Sequence, residues 1–165
     1  MPSAPENFFQ FEKLLAELAR AGVDFAVAGG VAVSLNGFIR ATDDVDIIVQ
    51  EAPANIRKLL DCLAGWGEGW ARELKVEDFV PQEGSIRVME DFDLDIFTRL
   101  RGQSLEDFRP RLRCLDLNDV RIAYLAPEDL LLLKQNSRRE KDQLDVAALK
   151  KILGDARPPS GPASP

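Results

Sequence analysis

The sequence contains no histidine, and its two cysteines, Cys62 and Cys114, stand far apart in unlike contexts. Imidazole catalysis, zinc sites of the usual kind and a disulfide framework are thereby excluded. No run of 18 uncharged apolar residues occurs, and the opening MPSAPENFF has neither a basic nor an apolar leader segment, so neither a membrane span nor a signal peptide is expected. The expected location is the cytoplasm. Positive charge is also in short supply, with 21 basic against 28 acidic residues and a formal charge of −7. That balance disfavours bulk binding of DNA or RNA through a cationic surface, although a local basic patch still suffices to touch one RNA end. The phosphate-loop spacing G-x-x-x-x-G-K-[ST] and the dinucleotide fingerprint G-x-G-x-x-G are both missing.

What is present reads as a single α/β (α+β) domain over residues 1–155, with a core over about 6–126, C-terminal helices over about 127–153 and a tail. Phe8, Phe9, Phe11, Leu14, Leu15 and Leu18 recur at helical spacing, predicting a helix over 6–21 that stops at Gly22. The run 23–28 ends in Gly29–Gly30, 31–36 is long enough for about two helical turns, and 45–49 is β-branched and strand-like. Pro53 opens a helix carrying Ile56, Leu59, Leu60 and Leu63, which ends at the glycine-rich GWGEGW. Residues 71–82 carry no clear pattern. Strands are expected over 85–90, 92–97, 113–116 and 120–125, with a short helix around Leu105, and helices over 127–136 and 141–153. The Pro/Ser/Gly-rich end, ARPPSGPASP at 156–165, is expected to be disordered. Trp66, Trp70 and the phenylalanines of the first helix are expected in the core.

Alternation gives the aspartates a geometry. On a strand, Asp44 and Asp46 project to one face while Val45, Ile47 and Val49 face the other way. Two ionised carboxylates held that close repel, and the repulsion falls away around a divalent cation; oxygen ligands suit Mg²⁺. An isolated D-x-D is ordinarily a solvated turn. A second acidic strand, FDLDIF, changes that reading, because Asp93 and Asp95 share a face and Asp95 is bracketed by Leu94 and Ile96. A carboxylate so placed needs a partner. Between the first strand and its short helix, the amides of Gly29 and Gly30 can approach an anion without a Cβ in the way, unless the pair serves only a tight turn.

Taken together, G29-G30-V-A-V-S-L-N-G37-F-I-R40-A-T42-D-D44-V-D46, the later L94-D95-I-F, and the helical end Y124-L-A-P-E-D-L-L-L-L-K134 through R139-E-K141-D142-Q-L-D145 resemble the nucleotidyltransferase superfamily. The resemblance is strongest to small bacterial proteins related to AbiEii-type toxins, with antibiotic nucleotidyltransferases as more distant relatives, and it spans about 23–149. It implies a mixed β-sheet flanked by helices, in which Gly29 and Gly30 bind NTP phosphates and Asp44 and Asp46 hold Mg²⁺. Asp95 would be the third carboxylate, a metal ligand that assists the attacking hydroxyl. Transfer of an NMP from an NTP is mainly positioning and charge neutralisation, to which two metal ions contribute.

Other residues carry two readings each. Arg40 either contacts the triphosphate or pairs with Asp43 or Asp44. Thr42 is a turn residue or a nucleotide contact. Lys134, Arg138, Lys141 and Asp145 would align on one continuous helix; the bland reading is a solvated stripe, and the resemblance implies that Lys134 and Lys141 reach the triphosphate or the acceptor. Arginines 99, 101, 109, 111 and 113 read as a surface face, or as a contact to acceptor RNA. The expected activity is therefore Mg²⁺-dependent NMP transfer to a hydroxyl on an RNA end, a protein or a small molecule. A toxin with a cognate antitoxin fits the resemblance; the alternative is a non-catalytic NTP-binding or protein-binding member of a two-protein system.

Overall fold

The computed structural model describes residues 8–156. The first helix, α1 (Phe9–Arg20), buries Phe11, Leu14, Leu15 and Leu18, and its expected start at Glu6 lies outside the described residues. It ends as the sequence predicts. Gly22 takes φ +78°, its N–H donates to the Ala19 carbonyl, and the Val23 N–H donates to the Leu18 carbonyl, so two orphan carbonyls of the last turn are satisfied. Strand β1 (Phe25–Ala28) is buried along its whole length and runs straight into α2 (Gly29–Leu35), which begins two residues before the expected 31–36.

Strand β2 (Asp44–Val49) and helix α3 (Pro53–Leu63) follow, the proline opening the helix where its missing N–H costs nothing. The patternless stretch 71–82 holds two short 3₁₀ turns, Trp70–Glu73 and Val76–Asp78. Then come β3 (Ser85–Met89), β4 (Asp93–Phe97), the single turn α4 (Leu105–Phe108), β5 (Arg113–Leu117), β6 (Val120–Tyr124), α5 (Pro127–Lys134) and α6 (Glu140–Ala156). The chain turns between α5 and α6, as the separate helices expected over 127–136 and 141–153 require, so Lys134 and Lys141 do not share the face of one continuous helix. The expected tail lies outside the described residues, apart from Ala156 at the end of α6.

Among the described residues six strands form one mixed sheet in the order β3-β4-β2-β1-β6-β5. β1 pairs antiparallel with β2 and parallel with β6, whereas β2 and β4 run parallel. The register of the β2–β4 pair sets Asp44 opposite Asp93, Val45 opposite Leu94, Asp46 opposite Asp95 and Ile47 opposite Ile96. One face of this pair therefore buries Val45, Ile47, Leu94 and Ile96 in the core, and the other carries four carboxylates. No helix among the described residues is long and apolar enough to cross a membrane.

Candidate active site

The site is built on β2 and β4, two adjacent parallel strands that are both flanked by other strands of the sheet. Asp44, Asp46 and Asp95 each present a carboxylate oxygen, and these oxygens lie within 4.8 Å of one another. Burial, then the charges of Asp44 and Asp95 and a hydrogen bond to Asp95, push the Asp46 carboxyl up to about 7, against the pull of Lys134. Burial also pushes Asp95 up, but the bonds and charge of Arg87 outweigh it and hold Asp95 below the usual carboxylate range. Without a cation the cluster keeps a proton near neutrality because it cannot ionise completely at low cost. Oxygen-only donors at this spacing fit a hard divalent ion such as Mg²⁺.

Neighbouring side chains hold the carboxylates in place. The buried Thr42 hydroxyl lies 3.1 Å from Asp44 Oδ1 and from the Asp44 carbonyl, so it is a turn residue that also aims a site carboxylate. Ser85 donates to Asp95 Oδ1 at 3.3 Å. Arg87, on β3, clamps Asp95 with two bonds of 2.9 Å and stands 3.4 Å from Asp93 and 3.8 Å from Asp44.

The glycines turn out to make room for site side chains. A Cβ on Gly29, which sits at φ +59°, would lie 1.9 Å from Asp46 Oδ2, and one on Gly30 would lie 2.6 Å from an Arg40 guanidinium nitrogen. Arg40 does not pair with Asp43 or Asp44 but with Asp145, through bonds of 2.7 and 2.8 Å. Asp145 is fully buried and also meets Lys134 at 3.0 Å, while Lys134 reaches Asp142 at 2.8 Å. One carboxylate on α6 thus ties the loop before β2 to the end of α5.

Gly30, Arg40, Thr42, Asp44, Asp46, Asp95, Lys134 and Lys141 all border one cleft of about 320 Å³, together with Ser85, Arg87 and Arg139; Gly29 borders the adjoining cavity with Asp46. Every residue predicted for the site therefore lies at this cleft or its neighbour. Lys134 and Arg40 are already paired; Lys141 and the well-exposed Arg139, which stands 3.8 Å from Asp142, lie at the cleft's edge. Sequence reasoning missed Arg87 and Arg139. The alternation in SIRVM, with Ser85, Arg87 and Met89 sharing a face opposite Ile86 and Val88, was the available signal for Arg87. Of the arginine-rich segment, Arg99 pairs with Glu51, Arg109 with Asp24 and Glu106, and Arg111 with Asp129, as a surface face would. Phe8 and Phe11 are core, and Trp66 packs on Phe92, but Trp70 is 54% exposed, contrary to expectation.

A mixed sheet with paired aspartates on one strand, a third on its parallel neighbour and a Gly-Gly turn beside them defines a nucleotidyltransferase-like fold. The chain belongs to the family described as nucleotidyltransferase of unknown function (DUF6036), whose sequence model matches residues 6–153. No curated protein matches the sequence. Among solved structures it is similar to an antigenic nucleotidyltransferase-like protein from Paracoccidioides brasiliensis, at TM-score 0.62 and 18% identity over 93% of this chain and 78% of that one. It is also similar to the lincosamide antibiotic adenylyltransferase LnuA, lincomycin-bound, at TM-score 0.58 and 19% identity over 89% of this chain and 96% of the other. A putative nucleotidyltransferase from Thermotoga maritima aligns at TM-score 0.56 and 16% identity, covering 91% of this chain and 94% of its own.

Proposed function

We propose that the protein is a Mg²⁺-dependent nucleotidyltransferase that moves an NMP from an NTP to a hydroxyl acceptor and releases pyrophosphate. The observation that carries this is the convergence of Asp44, Asp46 and Asp95, on adjacent parallel strands, to within shared-cation distance. Bound there, one or two Mg²⁺ ions would neutralise charge on the triphosphate and on the attacking and leaving oxygens. The chain's own residues do the rest. The turn at Gly29–Gly30 lets Asp46 and Arg40 lie along the floor of the cleft, Gly30 borders the cleft, and Lys141 and Arg139 supply cations at its edge for the phosphates. Arg40 and Lys134, anchored by Asp145, fix that floor, Thr42 aims Asp44, and Asp95 accepts the proton of the incoming hydroxyl.

The acceptor is an RNA end, a protein or a small molecule. LnuA, nearly all of which this chain covers, holds lincomycin, so a fold of this extent suffices for a small acceptor. Incubation with NTPs labelled at the α-phosphate and cell extract tests the reading: label should appear in one acceptor fraction, only with Mg²⁺, and not with Asp46→Asn. Label in RNA or protein, blocked by a co-purifying protein, would make the chain the toxin of a toxin–antitoxin pair. One observation favours the second reading of a non-catalytic binding member, namely that Arg87 already neutralises Asp95. Calorimetric titration with each NTP, with and without Mg²⁺, separates the two, because nucleotide binding without any labelled product supports the second.

A further inference from the structure

We propose that the groove along the outer edge of β3, walled by Trp70, Leu74 and Met89, is the acceptor subsite, and that it takes a small, planar, largely apolar molecule bearing a hydroxyl. The assignment rests on the nucleotidyl-transfer reading. The groove has a volume of about 440 Å³ and is bordered by Trp70, Glu73, Leu74, Arg87, Val88 and Met89. That is room for one small organic molecule. Trp70 is 54% exposed and Met89 64% exposed, an arrangement that leaves costly apolar surface in water unless something covers it. The backbone that carries the tryptophan is held in place. Glu90 accepts the backbone N–H groups of Glu68 at 2.7 Å and of Trp70 at 3.0 Å, and it fits only because residue 67 is a glycine, where a Cβ would lie 2.1 Å from Glu90 Oε2. An exposed indole on an anchored backbone, bordering the same groove as a thioether, offers a face to a flat ring.

Position selects the occupant. Across the sheet the order is β1 with its glycine turn, then β2 and β4 with the carboxylates, then β3 with Arg87, then the groove. In-line displacement puts the attacking oxygen opposite the leaving one. Pyrophosphate departs on the glycine side, so the hydroxyl arrives from the β3 side, past Arg87, which borders both groove and cleft. There the acceptor oxygen forms a bond to the α-phosphorus as the bond to pyrophosphate breaks, its proton passing to Asp95 and the electron pair leaving with pyrophosphate. Arg87 is the single cation of the groove and the chain carries −7, so a row of phosphates is poorly matched to it.

The full chain, labelled with ¹⁵N at tryptophan and ¹³C at the methionine methyls, is titrated with 2-naphthol as probe and read by NMR. Two tryptophans and two methionines make the signals simple to assign. The Trp70 indole and Met89 methyl should shift while Trp66 does not, and Trp70→Ala or Met89→Lys should weaken naphthol binding about tenfold with Mg²⁺–ATP affinity unchanged. Naphthol binding that spares Trp70, or that survives both substitutions, overturns the assignment. So does displacement of naphthol from Trp70 by a short single-stranded RNA, which would make the acceptor a polynucleotide. A wild-type protein that binds naphthol at Trp70 but no Mg²⁺–ATP would instead sink the transfer reading beneath it.

Discussion

Asp46 is the residue whose charge state most depends on what occupies the cleft. Its carboxyl, pushed up to about 7 by burial and by Asp44 and Asp95, has a folded value above its ordinary one, so its contribution favours folding at low pH and is lost as pH rises toward and through about 7. Asparagine imitates the neutral acid. In chelator-containing buffer, Asp46→Asn should melt close to wild type near pH 4, pull progressively above it as the pH rises from about 4 to about 7, and hold a constant lead beyond; melting temperatures that stay parallel between pH 4 and 7 would refute the burial argument. Asp95 behaves oppositely. Its carboxyl lies below the usual range because Arg87 outweighs burial, so it stabilises the fold above its ordinary value and loses that contribution as pH falls. Asp95→Asn should therefore cost the metal-free protein some stability while lowering transfer by about 10²–10⁴, with nucleotide binding retained. Unchanged transfer would make Asp95 a structural partner of Arg87. Both aspartates were legible from alternation in DVDIIV and FDLDIF, since the period of a strand is written in its sequence. Arg87 was missed although the alternation in SIRVM carries it, because its approach to Asp95 depends on the register with which β3 pairs with β4, which is a tertiary fact.

At the scale of elements, the junction of α5, α6 and the loop before β2 hangs on Asp145. Its buried carboxylate accepts from Arg40 and meets Lys134, and both cations are themselves mostly shielded from water. Breaking such a pair strands a buried charge, so Asp145→Ala should cost about 3–5 kcal/mol in denaturant unfolding. A loss under about 1 kcal/mol would mean that water reaches both cations. The same clamp makes Gly30→Val costly to the fold. Because the added Cβ would strike an Arg40 that Asp145 holds still, this variant should lose stability as well as nucleotide affinity, which paired melts and calorimetry would reveal. Helix and strand identities were readable from periodicity and from Gly22, Pro53 and Pro127. The break between α5 and α6 was readable too, as separate helices over 127–136 and 141–153; what was not is the pairing of Lys134 with Asp142 and Asp145 across it, which is a tertiary contact. Trp70 was misread because composition marks an indole as core, whereas the backbone it sits on is anchored by Glu90, a long-range contact.

For the whole molecule, the proposed metal site makes stability depend on divalent ions. Mg²⁺ held between Asp44, Asp46 and Asp95 would bind the folded state alone, because the unfolded chain separates β2 from β4, so the wild-type melting temperature should climb with Mg²⁺ concentration and that of Asp46→Asn should hardly move. Equal shifts in the two proteins would place the ion elsewhere. The in-register pairing of β2 with β4 carries one more consequence. The register that hides Val45, Ile47, Leu94 and Ile96 is the register that sets Asp46 against Asp95, and a slip by one residue would send apolar side chains into water and carboxylates into the core. Correct register is thereby a single test for both: a molecule whose β2–β4 pairing buries its apolar residues already has its carboxylates aligned, and one whose register has slipped loses its core together with its site.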